Sequence, residues 1–148
     1  MAEFDLKRFL EAQEREFPIA LKEIKNGKKV SHWMWYIFPQ IIGLGRTPIS
    51  QYYAIANLNE AKAYMSDPIL KAHMLEICEA LLALKDKDAG KIFGFPDHLK
   101  LKSCMTLFEM AAPECLVFGQ VLEQYFEGNR DQSTIDCLAY TEANNRLE

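Results

Sequence analysis

The sequence predicts an all-α protein: a single helical domain over residues 1-148, compact and multi-helix, with a buried central aromatic helix. Three observations carry that expectation. Apolar residues recur at three- and four-residue spacing through several long stretches, as they do on helices that bury one stripe. Thr47-Pro48 and Asp67-Pro68 each pair a capping side chain with a proline suited to the first helical position. No run alternates apolar and polar residues strictly enough to specify a half-buried strand.

Residues 5 to 26 read as the first helix, with Asp5 as N-cap and Leu6, Phe9, Leu10, Phe17, Ala20, Leu21 and Ile24 on one face. Pro18 predicts a kink or a restart near Phe17, because proline removes an intrahelical bond. Asn26-Gly27 is the stop. Gln13 is the polar residue placed to face inward.

The next stretch, Ser31 to Gly45, reads SHWMWYIFPQIIGLG and holds both tryptophans. Trp33 to Phe38 has no polar face, so it is not a half-exposed helix. It also falls short of the roughly 20 apolar residues that span a bilayer. It reads as a buried segment with His32 and Gln40 at its ends. Ser31 is the expected N-cap of a short helix through Phe38, stopped by Pro39. Gly43-Leu44-Gly45 reads as a tight turn, since neither the dinucleotide fingerprint nor a Gly-Lys-Ser/Thr ending accompanies it.

A short helix with Tyr52, Tyr53 and Ile55 should follow Pro48 and end near Asn57. Asn59 is the expected cap of a helix from Glu60 to Met65. The helix from Pro68 to Lys85 has the widest stripe: Ile69, Leu70, Met74, Ile77, Cys78, Leu81 and Leu82. Lys85 to Asp88 reads as solvated loop and Lys91 to Pro96 as an aromatic turn. Asp97 should cap a helix to about Met110, with Leu101, Cys104, Leu107 and Phe108 inward. Pro113 should open a helix through Phe126, broken by Gly128-Asn129. Asp131 or Ser133 should cap the last helix, packed through Ile135, Leu138 and Ala139.

Composition narrows the function classes. With 148 residues, 49% apolar and 26% charged, the chain has the make-up of a soluble domain able to fold without staples. A net charge of −4 argues against general nucleic-acid binding. The charge is uneven: Lys22, Lys25, Lys28, Lys29 and Arg46 stand against Glu23 alone around the aromatic stretch. Such a region either attracts an anion or is a solvated lysine face. Cys78, Cys104, Cys115 and Cys137 form neither a Cys-x-x-Cys pair nor a zinc spacing. They read as free thiols in a reducing cytoplasm, with no signal peptide and no membrane segment. No spacing of His, Cys, Asp and Glu predicts a metal site, and no cofactor is implied.

Several strings together are similar to one family. They are Ser31-His32-Trp33-Met34-Trp35, Phe38-Pro39-Gln40 and Gly43-Leu44-Gly45, with Ala12-Gln13, Tyr53-Ala54-Ile55, Glu60-Ala61 and Tyr64 around them. Phe93-Gly94, Asp97, Lys100-Leu101, Ser103 and Thr106-Leu107-Phe108 continue the likeness. The chain resembles the domain-of-unknown-function family 1810 from about Leu6 to Leu138. The resemblance implies a small, mostly helical protein and carries no activity. The family tends to show Leu-Gly-x-Arg after the proline helix start, whereas this chain has Leu70, Lys71, Ala72 and His73. If that arginine holds an anion in relatives, His73 would do so only when protonated.

Two polar groups of residues are the candidate chemistry. His32 is either a general base or ligand contact, or a structural residue of a first helical turn. Gln40 either reads a ligand or caps a broken helix end, and Trp33 and Trp35 offer stacking surface or core. On the Asp97 helix, three-residue spacing puts Lys100, Ser103 and Thr106 on one face. Those side chains suit a phosphate or carboxylate. The structural alternative has Asp97 capping and pairing with Lys100 while the hydroxyls bond back to the previous turn. The expected function is binding or transformation of an anionic, planar, nucleotide-like small molecule. The expected contacts are His32, Trp35, Gln40, Arg46, Lys100, Ser103 and Thr106, with no catalytic residue assigned. The alternative is a helical adaptor for a protein partner.

Overall fold

A computed structural model describes residues 4–147, and among these nine helices account for the regular structure. They are α1 (Lys7–Lys25), α2 (Met34–Ile37), α3 (Pro48–Tyr52), α4 (Leu58–Ser66), α5 (Pro68–Leu82), α6 (Ala89–Phe93), α7 (Asp97–Ala111), α8 (Val117–Phe126) and α9 (Gln132–Leu147). The fold is all-α, as expected from the apolar spacing. An isolated parallel bridge joins Ile41 and Ile55: Ile55 N–H donates to the Gln40 carbonyl and Ile42 N–H to the Ile55 carbonyl, each at 2.8 Å. The two bonds pin the end of the aromatic stretch to the segment after α3.

Helix starts with a strong local signal fall where expected. Thr47 accepts the Ser50 N–H, and Asp67 accepts those of Ile69 and Leu70. Other boundaries differ. Helix α1 runs unbroken through Pro18, and its N-cap is Leu6 with no side-chain cap bond. Asn57 rather than Asn59 caps α4, accepting from Glu60 N–H at 2.9 Å. The first half of the expected aromatic turn, Lys91 to Phe93, is instead helical, the end of α6, which Asp88 caps. The N-cap of α7 is Pro96, so Asp97 is its first residue. Pro113 stands in a turn ahead of α8 and does not begin it. Asp131, not Ser133, caps α9, accepting from Thr134 N–H at 3.1 Å.

Helix α7 sits among its neighbours, contacting α4, α6, α8 and α9. Every residue from Ser103 to Phe108 on it is buried, and from Cys104 to Phe108 none reaches water, while Ser103 keeps 6% exposure. The aromatic stretch is also core: Trp33 is 0% exposed, with Met34, Ile37 and Phe38 buried beside it. Trp33, Phe38 and Phe93 pack with ring centroids 5.8–6.4 Å apart. Trp35 and Tyr36 are only half-buried. Among the described residues no helix is long and apolar enough to cross a membrane.

Candidate functional site

The aromatic stretch is held from α1. Glu23 accepts from Val30 N–H (2.8 Å), Ser31 N–H (2.9 Å), the Ser31 hydroxyl (2.6 Å) and the Trp33 indole N–H (2.9 Å). Ser31 therefore serves Glu23 instead of capping α2, whose N-cap is Trp33. Burial works to raise the Glu23 pKa, but the bonds from Ser31, Val30 and Trp33 outweigh it and hold the carboxyl at about 2.

Lys29 supplies a second anchor. Its ammonium donates to the Ser31 carbonyl at 2.6 Å, meets Asp97 at 2.9 Å and lies 5.2 Å from the Trp33 ring centroid. The other oxygen of Asp97 pairs with Lys100 at 3.3 Å. Lys100 in turn lies over the Trp35 ring, 5.5 Å from its centroid. The first turn of α7 is thus linked through charge to both tryptophans.

These contacts border a cleft of about 440 Å³. One side comes from Trp35, Gln40 and the Leu44–Ser50 stretch, the other from Pro96, Leu99, Lys100 and Ser103 of α7 and its approach. Asp131 and Ser133, from the start of α9, complete the lining. Five of the seven candidate residues, Trp35, Gln40, Arg46, Lys100 and Ser103, line this one cleft. His32 does not; it is exposed, and its carbonyl accepts from the Tyr36 hydroxyl at 3.3 Å. Thr106 does not either. It is 0% exposed, donates to the Lys102 carbonyl at 2.8 Å and accepts from Asp131 N–H at 2.9 Å. A hydroxyl one turn further along α7 than Ser103 lies inside the protein.

Ser103 is the polar floor of the cleft. Its oxygen is 3.1 Å from the Leu99 carbonyl and 3.0 Å from the Asp131 carboxylate. Its single proton serves one of them at a time. The back-bonding of Ser103 and Thr106 is the structural arrangement that the spacing left open, and the Asp97–Lys100 pair belongs to it. The polar ends of the aromatic stretch need no ligand to satisfy them. Among the described residues, no buried side-chain nitrogen or oxygen lacks a hydrogen-bond partner.

Sequence reasoning missed Asp131 as a cleft residue, because its cap position gave it a sufficient local role. Of the five cations near the aromatic stretch, Arg46 reaches the cleft and is exposed there. Lys22, Lys25 and Lys28 are also exposed but do not line it. Among the described residues no cluster of His, Cys, Asp and Glu has the geometry to hold a metal ion.

The cleft and its helices define a small all-α protein whose polar lining comes from three separated parts of the chain. It belongs to the family described as protein of unknown function DUF1810, which matches residues 3–138. The crystal structure of the conserved hypothetical protein Rv1873 from Mycobacterium tuberculosis has the same fold. It is 39% identical to this chain with a TM-score of 0.90, over 92% of this chain and 97% of that one. No curated protein matches the chain.

Proposed function

We propose that this protein binds an anionic, planar small molecule of the nucleotide type in the cleft between the aromatic stretch and α7. The observation that carries the reading is the convergence of Trp35, Gln40, Arg46, Lys100 and Ser103 on one concavity from two distant parts of the chain. Each supplies a different element of recognition. Trp35 offers part of an indole face for stacking. Arg46 presents a planar fork suited to phosphate, directly after Gly45, whose open side is packed against Ser50. Lys100 adds a point charge, held beside Asp97 and the Trp35 ring, and Gln40 can pair with a ligand amide edge. Asp131 sets a condition: the anionic part of the ligand must sit toward Arg46 and Lys100, with donors toward the carboxylate. The reading takes the protein to act in the reducing cytoplasm, in keeping with four free cysteines.

The test is a thermal-shift screen of nucleotides and sugar phosphates, repeated with Arg46→Ala and Lys100→Ala. A ligand at about 100 times its dissociation constant should stabilise by about 2.7 kcal/mol. Binding should weaken with salt, because exposed charges are screened over about 8–10 Å. Hits that ignore both substitutions would remove this reading. The adaptor reading would then lead, favoured by Leu99, 46% exposed in the cleft lining, and Phe95, 83% exposed and next in the chain to the lining residue Pro96.

A further inference from the structure

A second cleft, of about 530 Å³, lies between α1 and α5 and shares no residue with the first. Its apolar walls are Leu10, Phe17, Pro18 and Ile69, and its charged groups are Glu11 and Glu14. Gln13 and His73 complete it. No lysine or arginine is in the lining.

The hydrogen bonds of Gln13 fix the state of His73. Gln13 is 2% exposed. Its amide nitrogen lies 2.7 Å from the Tyr36 carbonyl and 2.8 Å from the Tyr64 hydroxyl. A carbonyl oxygen only accepts, so the group facing it must be the NH₂ and not the amide oxygen. The amide oxygen then faces His73 Nδ1 at 2.9 Å. Because that oxygen has no proton to give, Nδ1 carries the hydrogen. In the neutral ring the lone pair is therefore on Nε2, which has no hydrogen-bond partner among the described residues. The ring is stacked on Phe17, with centroids 3.9 Å apart and planes 9° from parallel. Orientation and tautomer are both held by groups in the core.

We propose that this cleft binds a primary ammonium group carried on an apolar chain, with Nε2 of His73 as the acceptor. Glu11 and Glu14 supply the opposing charge, and the walls of Leu10, Phe17, Pro18 and Ile69 cover the methylenes. A carboxylate ligand would face two like charges, and an alcohol could donate a hydrogen bond but would gain no charge pairing. The titratable groups of the lining besides His73 are Glu11 and Glu14 from α1, and Glu76, on the helix of His73, is the charge that acts on the imidazole. Protonation of His73 turns Nε2 into a donor and adds a like charge, so acidification should release the ammonium. Free alkylamines and lysine side chains share this chemistry.

The experiment is NMR on the full chain, whose three histidines are His32, His73 and His98. Long-range ¹⁵N spectra at neutral pH should show His73 as the Nδ1–H tautomer; the Nε2–H form would overturn the proposal. Hexylammonium and Nα-acetyl-lysine amide are then titrated, with hexanol and hexanoate as controls. The His73 ring signals should move to saturation with at least one of the two ammonium probes. Tighter binding of one identifies the source as a free amine or a protein side chain. Glu11→Gln with Glu14→Gln, both on exposed positions of α1, should weaken the binding several-fold. No saturable shift at His73 with either ammonium probe, or equal shifts with hexanol, would overturn it.

Discussion

The indole N–H of Trp33 donates to the Glu23 carboxylate at 2.9 Å, so a helix-α1 side chain sets where the aromatic stretch enters the core. Four donors share that carboxylate, and α2 itself is only Met34–Ile37, too short to be stable alone. Replacing Glu23 by alanine should cost about 1.5–3 kcal/mol, since hydrogen bonds to charged groups are individually strong but water can reach part of this site. The contribution should also follow pH. The folded pKa is lowered from 4.5 to about 2, so the stabilisation is complete above pH 4.5 and is lost as pH falls toward 2. Urea midpoints of the protein and the variant across that range should converge at the acid end.

The two tryptophans should differ in their energetic role. Trp33 is fully buried against Phe38 and Phe93, and Trp33→Ala should cost about 3–5 kcal/mol. Trp35 is half-exposed at the cleft, and Trp35→Ala should cost less than about 2 kcal/mol. Denaturant unfolding of both variants measures the difference directly, and equal losses would contradict it.

Asp97 is divided between Lys29 and Lys100. The Lys29 side chain is 7% exposed, so Asp97→Asn leaves a nearly buried ammonium with the Ser31 carbonyl and the Trp33 face as its remaining contacts. A loss of about 1–3 kcal/mol is expected. The same substitution frees Lys100 from its ion pair. Anion binding at the cleft should therefore tighten or hold, while Lys100→Ala weakens it. Thermal melts and titrations with the nucleotide found by screening separate the two effects.

His73 should make stability fall on mild acidification. Burial lowers its pKa, against the pull of Glu76, so below about pH 6.5 the unfolded chain takes up a proton that the folded chain resists. Stability rises with pH through that window, and the His73→Phe variant should show a flatter profile from pH 7 down to 5. Unfolding free energies at stepped pH read this out.

The cysteines should react in order of burial. Cys78 and Cys104 are fully buried, and burial raises both thiols well above the ordinary range. Cys115 and Cys137 are half-buried. Iodoacetamide on the native protein should label Cys115 or Cys137 first and leave Cys78 and Cys104 unmodified until unfolding, as peptide mass mapping would record.

What the sequence determined by itself was local. The caps at Thr47 and Asp67 were legible because a side chain bonding two or three residues ahead needs no tertiary partner. The α5 stripe from Leu70 through Met74, Ile77 and Cys78 to Leu81 and the burial of Trp33 were legible because helical spacing and a polar-free run leave few alternatives. Ile69, placed on the same stripe, is instead 56% exposed, and Leu82 is only half-buried. Lys100 and Ser103 share the cleft because three-residue spacing on α7 puts them on one face. Packing decided the rest. Thr106 continues that spacing but is turned inward, where α7 meets the start of α9 and the Asp131 N–H takes its hydroxyl. Asp131 joins the cleft through a bond to Ser103 that spans 28 residues of chain, and Gln13 reaches His73 across 60. Such contacts form only when separate helices close on a common core, so short-range spacing carries no trace of them. The orientation of the Gln13 amide, and with it the proton position on His73, follows from three groups that meet only in the folded protein.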